Sequence, residues 1–376
     1  MSSLAPLDSS EPEAATVRTR SASVVVDERW GYRRLDPLPA SVTALPRRAS
    51  PDRPNVLITS ASRKVLLVRA FREALARLGG GRVVAADISP LSAALFEADV
   101  ARLLPRSDDP AFLAALSRLC RDEGVGLVIP TRDEELPVLA AAREQFADEG
   151  TLALVSDPVA VATCRDKVRF KAAVDVAGLD GPTGYEDPVL APLPAFVKPR
   201  FGKGGLGARV VTTREELIAA VTGLGEDAVI QELVEAPEFT IDVFVDLDGR
   251  AISCVPRERI LVVAGESVVS RTVKDPALVE ATLRLVGSIG LVGHLTVQAF
   301  RTVDRIAFIE INPRYGGAAN LGFAAGAPTP EFAIRLARGE RLDPRLDAYE
   351  AGLVMLRHSE DRFVRRDEFV VPEVGA

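Results

Sequence analysis

The residues best suited to chemistry lie near the C-terminal end, in Phe308-Ile309-Glu310-Ile311-Asn312-Pro313-Arg314. On a strand, Glu310 and Asn312 are two apart and point to one face. Gln298 sits on the preceding apolar run, His294 to Phe300, and a short turn lets it lie opposite them. All three offer oxygen ligands, which suits a hard divalent cation such as Mg²⁺ with phosphate oxygens completing its shell. Polar groups between isoleucines cost free energy unless they are paired. The alternative is an exposed polar face at a sheet edge. Arg314 follows at once, and a guanidinium there can steady the charge of a transferring phosphoryl group.

Two lysines and a glycine loop extend this chemistry. Lys198 ends the apolar strand Ala195-Phe196-Val197, and Lys167 begins a helix in Arg165-Asp166-Lys167. Either can be a point charge for phosphate oxygens or a solvated surface lysine. Phe201-Gly202-Lys203-Gly204-Gly205-Leu206-Gly207 contains G-x-G-x-x-G, but Ala208 to Thr212 after it reads as a strand. The dinucleotide fingerprint needs a helix there, and a Walker A loop needs Ser or Thr after its lysine. Two readings remain: a flexible loop that covers phosphates with backbone N–H groups, or a plain hairpin connection.

The elements that must position these groups fall into two styles. From Asn55, strand and helix alternate: strand Val56–Ile58, helix Lys64–Leu78, strand Val83–Asp87, helix Pro110–Asp122, strand Val125–Pro130, helix Glu134–Phe146 and strand Leu152–Ser156. Short connections of this kind predict a parallel α/β unit with its ligand edge at the strands' carboxyl ends. Those ends carry Thr59-Ser60-Ala61-Ser62, Asp87 and Thr131-Arg132-Asp133-Glu134, either as site residues or as ordinary turn chemistry. From about Arg165 the pattern becomes strand-rich, with helices Lys167–Ala177, Arg214–Gly223, Pro276–Ile289 and Thr329–Arg338 among runs that predict antiparallel sheets. A last strand is expected over Gly352–Arg357. Residues 1–53 have no sustained period and read as a disordered extension, or as an arm docking through Ser23–Val26, Trp30 and Tyr32.

Bulk composition narrows the classes. The 376 residues carry a formal net charge of -7, so nucleic acid is not an expected partner. Cys120, Cys164 and Cys254 are widely spaced, which fits a reducing compartment rather than a disulfide framework or a zinc site. Two histidines, His294 and His358, exclude a three-histidine centre. No run approaches ~18 unbroken apolar residues and no secretory leader is evident, so a cytoplasmic protein without a membrane span is expected.

The order Asp166-Lys167, Val197-Lys198-Pro199 with the glycine loop, Gln231-Glu232-Leu233-Val234, Glu238, Gln298 and Glu310-Ile311-Asn312-Pro313-Arg314 resembles the ATP-grasp superfamily. Within it the likeness is to the carbamoyl phosphate synthase large-subunit-like branch, over roughly Pro54 to Leu342. The Glu-x-Asn-Pro-Arg element is specific, whereas the lysines and glycines are not. The resemblance implies a pre-ATP-grasp α/β domain over 54–160 and a two-lobed ATP-grasp domain over 161–345, with a mobile lid near 180–233 and a tail over 346–376.

It also implies ATP and Mg²⁺, with Mn²⁺ as an alternative. Lys167, Lys198, Gly202, Lys203, Gly204 and Gly205 would meet phosphates. Gln231, Glu232, Leu233 and Val234 would meet adenine, and Glu238 the ribose. Gln298, Glu310 and Asn312 would hold the metal, and Arg314 would act on the phosphoryl group. Glutamine at the first metal position matches this branch, whereas many other ATP-grasp ligases have an acid there. Arg257, Arg259 and Arg271 are candidates for the acceptor carboxylate, or else surface arginines. His294 reads as a packed strand residue.

The expected activity is an ADP-forming ligase joining a small carboxylate to an amine through an acyl phosphate, an amino acid being the leading substrate. Homodimers are the commonest homo-oligomers, so a homodimer is the expected assembly if the chain associates. Three alternatives stay open: an enzyme phosphorylating bicarbonate or carbamate, a non-catalytic ATP-binding module, and a nucleotide-sugar or dinucleotide enzyme, which the context of the glycine loop disfavours. A single half disfavours full carbamoyl phosphate synthesis, and no biotin-carrier segment is visible.

Overall fold

The computed structural model describes residues 55–202, 204–365 and 368. The extension over 1–53, with its proposed arm, and Lys203 in the glycine loop lie outside the described residues.

The first unit alternates strand and helix: β1 (Asn55–Ile58), α1 (Val65–Arg77), β2 (Val83–Asp87), β3 (Val100–Leu103), α2 (Phe112–Asp122), β4 (Val125–Ile129), α3 (Leu136–Asp148) and β5 (Leu152–Ala153). They form a parallel sheet of order β3-β2-β1-β4-β5, as the alternation predicts. Strands buried on both faces explain the unbroken apolar runs. Val56, Ile58, Val83 and Ala85 pack towards α1 with Leu67, Val68 and Phe71. Leu57, Val84 and Ala86 point the other way, to α2 and α3. β3 escaped the sequence reading because it is a half-buried edge strand that carries Arg102.

Two helices lead on, α4 (Pro158–Arg165) and α5 (Lys167–Val176). Asp157 caps α4 by accepting from the Val159 N–H at 2.8 Å, and Asp166 caps α5. A four-stranded antiparallel sheet of order β6-β9-β7-β8 follows, from β6 (Gly184–Tyr185), β7 (Ala195–Pro199), β8 (Arg209–Val211) and β9 (Ala228–Glu232), backed by α6 (Arg214–Leu224). Helix α6 starts on a reciprocal capping box between Thr213 and Glu216.

The remaining strands are β10 (Glu238–Val245), β11 (Ala251–Val263), β12 (Glu266–Thr272), β13 (Gly293–Arg301), β14 (Ile306–Asn312) and β15 (Val354–Leu356). They make a six-stranded antiparallel sheet of order β14-β13-β10-β11-β12-β15. Helix α7 (Pro276–Ile289) covers one face, where Ile241, Val243, Val297 and Ile311 meet Leu278, Leu285 and Ile289. The other face turns towards the parallel unit: Phe244 shares a core with Phe71 and Leu75, together with Phe332 of α9 (Thr329–Ala337), which follows the short α8 (Asn320–Ala324). β11 runs for 13 residues, straight through Arg257-Glu258-Arg259, whose charges give the sequence there the look of a loop. Among the described residues no helix is long and apolar enough to cross a membrane.

Candidate functional site

Four strands in register build the polar face. Gln298 on β13 pairs with Glu310 on β14 and with Thr240 on β10, and Thr240 in turn pairs with Arg257 on β11. Directly opposed residues share a face, so Gln298, Glu310, Asn312 and Arg257 lie together on the side facing the parallel unit. The Asn312 amide donates to Glu310 Oε1 at 3.0 Å and approaches Gln298 Oε1 at 3.5 Å. These three oxygen-bearing side chains converge as their spacing predicts. Among the described residues no group of three His, Cys, Asp or Glu side chains is arranged to hold a metal. One carboxylate and two amides form a weak cage alone, but they fit a hard cation that keeps phosphate oxygens in its shell.

Both lysines face Glu310. Lys198 is only 8% exposed at the end of β7. Burial pulls its pKa down to about 8, against the pull of Glu310, and neighbouring Lys167 lowers it further. Lys167 is lowered too, first by burial, with Glu310, Asp166 and Asp133 opposing. Lys198 is buried and Lys167 half-buried, and the burial of both ammonium groups outweighs the carboxylates that act on them.

The chain entering the glycine loop is pinned at its base. Arg200 forks onto Asp166 at 2.9 and 2.6 Å, and Lys167 Nζ donates to the Gly202 carbonyl at 3.1 Å. The loop tip rests on the β11–β12 turn, where a Cβ on Gly265 would stand 3.3 Å from the Gly204 oxygen. The Gly265 carbonyl also accepts from Arg259 Nη2 at 2.8 Å. Gly204 and Gly205 have positive φ of 61° and 70°, a conformation that favours glycine. The cleft beneath is lined by Asp133, Lys167, Phe170, Gly202, Glu310 and Asn312.

Arg314 binds Asp133 through two bonds of 2.7 and 2.6 Å and donates to Asn312 Oδ1 at 3.1 Å. Burial disfavours its charge, but Asp133 more than offsets this and raises its pKa. Asp133 comes from the loop after β4, at the carboxyl edge of the parallel sheet. The sequence reading noted that loop without pairing it to Arg314.

Glu238 accepts from Gln298 Nε2 at 2.8 Å and from Arg259 Nη1 at 2.7 Å. Gln231 is buried at the end of β9, and Leu233 and Val234 continue the chain half-buried beyond it. Glu232 accepts from the Thr183 N–H at 2.8 Å and from Arg305 Nη2 at 2.5 Å. Arg305 also binds Asp180 at 2.5 Å, so one guanidinium ties the two ends of the four-stranded unit. Arg305 was missed because its role depends on where the β13–β14 turn lies, which its sequence context does not reveal.

The three arginine candidates separate. Arg257 is buried and donates to Asp242 Oδ2 at 2.8 Å, leaving Nη1 without a partner among the described residues. Burial opposes the Asp242 charge, yet Arg257 and His294 hold its pKa down to about 2. Arg259 serves Glu238 and the loop turn. Arg271 pairs in register with Glu258, one residue along from Arg257 and Arg259, so it lies on the opposite face and binds Glu258 at 2.6 Å. It does not join the site. His294 is buried, lies against Thr329 Oγ1 at 3.1 Å and stacks on Tyr315 at 4.1 Å, the packed role expected for it.

Comparison with known proteins agrees with this geometry. Residues 56–154 match the family described as PylC-like, N-terminal domain, and residues 225–357 match ATP-grasp in the biosynthetic pathway with Ter operon. The carbamoyl phosphate synthase large chain of Rhodopirellula baltica is 27% identical over 221 residues, 51% of this chain and 20% of that protein. The chain thus spans about a fifth of that relative's length. Among solved structures, the biotin carboxylase domain of Hydrogenobacter thermophilus 2-oxoglutarate carboxylase, in complex with MgADP, ADP and bicarbonate, superposes with TM-score 0.65 at 20% identity, covering 80% of this chain and 73% of that one. The L-amino acid ligase of Bacillus licheniformis gives TM-score 0.61 at 20% identity over 77% and 75%. At such identities these likenesses speak for a shared fold.

Proposed function

We propose that this chain, a member of the ATP-grasp superfamily, is an ADP-forming ligase that joins a small carboxylic acid to an amine. The observation that carries the reading is the meeting of Lys167, Lys198, Glu310, Asn312 and Arg314 around one cleft. Buried Lys198 and half-buried Lys167, both with lowered pKa values, would take a polyphosphate, whose negative charge favours their charged forms.

In this reading ATP lies between the four-stranded and six-stranded sheets. Lys167 and Lys198 hold its phosphates under the loop Gly202–Gly207. Gln231 to Val234 border the adenine, and Glu238 takes the ribose hydroxyls. Gln298, Glu310 and Asn312 would hold Mg²⁺, which supplies charge neutralisation on the phosphates. A carboxylate oxygen of the acid attacks the γ-phosphorus in line, the bond to the β–γ bridging oxygen breaks, and ADP leaves. Arg314, fixed by Asp133, stabilises the transferring group. The amine nitrogen then attacks the acyl carbon, phosphate departs, and the nitrogen loses its proton. Loop closure keeps water from the acyl phosphate. The L-amino acid ligase among the structural neighbours supports an amino acid as one substrate.

The test is ADP release from MgATP against pooled amino acids and small carboxylic acids, with bicarbonate alone in a separate well. Release that needs one acid and one amine supports the ligase. Release driven by bicarbonate alone would replace it with a bicarbonate-phosphorylating enzyme. ATP binding with no release in any well would favour a binding module.

A further inference from the structure

Lysine is scarce in this chain. Of 46 Lys and Arg residues only six are lysines: Lys64, Lys167, Lys171, Lys198, Lys203 and Lys274. Lys171 and Lys274 lie away from the cleft, where Lys171 pairs with Asp175 at 2.6 Å and Lys274 stands over the Tyr349 ring at 3.6 Å. Lys167 and Lys198 face Glu310, and Lys203 belongs to the glycine loop. Lys64 has no place in the reading above, yet it lies beside the loop after β4 that carries Asp133: the Ser60 carbonyl it bonds also accepts from Thr131 Oγ1 at 2.9 Å.

Lys64 sits at the carboxyl end of β1, just before α1. It is half-buried, and its one hydrogen bond among the described residues goes to the Ser60 carbonyl at 3.3 Å. The carboxylates around it are engaged elsewhere. Glu135 accepts from the Thr131 and Arg132 N–H groups at 2.5 and 2.9 Å and from Ser60 Oγ at 3.0 Å. Asp87 accepts from the Ser62 and Ser89 N–H groups at 2.8 and 3.1 Å. Arg132 turns to Glu134 at 3.2 Å, and Arg314 to Asp133.

The ionisable groups acting on Lys64 are therefore Arg314 and Arg132, which oppose its charge, and Glu135 and Asp87, which favour it. Burial is the largest influence, and the net effect is a pKa of about 8. Lys167 and Lys198 instead lie in the field of Glu310. The lysines thus differ in the charges that act on them: Arg314, Glu135, Arg132 and Asp87 at Lys64, and Glu310 at Lys167 and Lys198. The carboxylates near Lys64 are already bound to other donors, and a compact ammonium with rotatable donors suits an anion of variable shape.

We propose that Lys64 binds an anionic group of the acid substrate, a carboxylate or phosphate other than the carboxylate being activated. The acid is then a polyanion: its reacting carboxylate meets the γ-phosphate beside Arg314, and its second anion rests on Lys64 at the edge of the parallel sheet. This rests on the ligase reading, but the two can fail separately.

The experiment uses the full chain loaded with Mg²⁺ and the non-hydrolysable analogue AMP-PNP, so that the phosphate sites are filled. Competitive acetylation of lysines, mapped by peptide mass spectrometry, is followed while succinate, citrate or inorganic phosphate is added. Lys274 serves as the exposed reference. The expected result is about tenfold protection of Lys64 by at least one probe, with Lys274 unchanged. Protection by the carboxylates identifies a polycarboxylic acid, and protection by phosphate a phosphorylated one. In parallel, Lys64→Met should bind Mg–AMP-PNP as the parent does while losing probe binding by calorimetry, and Lys64→Arg should recover part of it. Lys64 labelling that no probe alters, or equal probe binding by Lys64→Met, would overturn the proposal. Failure of the parent chain to bind Mg–AMP-PNP would instead defeat the ligase reading.

Discussion

Replacing Lys198 with methionine should make the protein more stable and unable to hold nucleotide. The side chain is 8% exposed, and its pKa falls from 10.5 to about 8 on folding, chiefly through burial. At 1.36 kcal/mol per pH unit, the ammonium costs the folded state on the order of 3 kcal/mol wherever both states are protonated. Methionine keeps the aliphatic stem and removes the charge, a change that often stabilises. With an unfolding entropy of ~2.1 cal/mol/K per residue over roughly 300 folded residues, the gain is about 5 °C in Tm.

The pH dependence gives the effect a signature. Below about pH 8 lysine is charged in both folded and unfolded states and the full cost is present. Between about 8 and 10.5 the folded state releases its proton first, so the parent's disadvantage shrinks as pH rises. Scanning calorimetry at neutral pH should therefore show Lys198→Met above the parent, with the difference largely gone near pH 10.5. MgADP should raise the parent's Tm and leave the variant's unchanged. A variant less stable than its parent at neutral pH, or one still stabilised by MgADP, would refute the assignment of Lys198 as a buried cation kept for phosphate.

Further outcomes follow from the same geometry. In the parent, MgADP affinity should fall as pH rises above about 8, because Lys198 must be charged to meet phosphate, and isothermal titration across that range would show it. Asp133→Asn should lower turnover about tenfold with little change in nucleotide affinity, since it loosens the fork that aims Arg314. Glu310→Gln should remove most of the Mg²⁺ dependence of nucleotide binding, measured by titrating the metal at fixed ADP. Arg305→Ala frees both ends of the four-stranded unit from Asp180 and Glu232, and should raise the KM for ATP several-fold more than it lowers kcat.

Much of this was legible because physics wrote it locally. The apolar runs around Val56, Val83 and Val125 had to be strands buried on both faces, and the two-residue spacing of Glu310 and Asn312 fixed a common face before any register was known. The expected helices from Lys167, Arg214 and Pro276 are capped by Asp166, Thr213 and Asp275, whereas α4, capped by Asp157, was not foreseen. What stayed hidden depends on pairing across long separations. Asp133 is separated from Arg314 by 181 residues, and only the packing of the parallel unit on the six-stranded sheet joins them. Likewise Arg257 and Arg271 look equivalent in sequence, and the strand register alone puts them on opposite faces. β12 was overlooked because Glu266, Ser267, Ser270 and Arg271 mask its alternation.

The most direct test of the ligase reading is to supply MgATP and pooled carboxylic acids with hydroxylamine as the amine, and to follow ADP and acyl hydroxamate together. The expected result is equal amounts of ADP and one hydroxamate, both abolished in Arg314→Ala and both dependent on a particular acid. Release of AMP and pyrophosphate, or ADP formed at the same rate with no acid present, would contradict carboxylate phosphorylation.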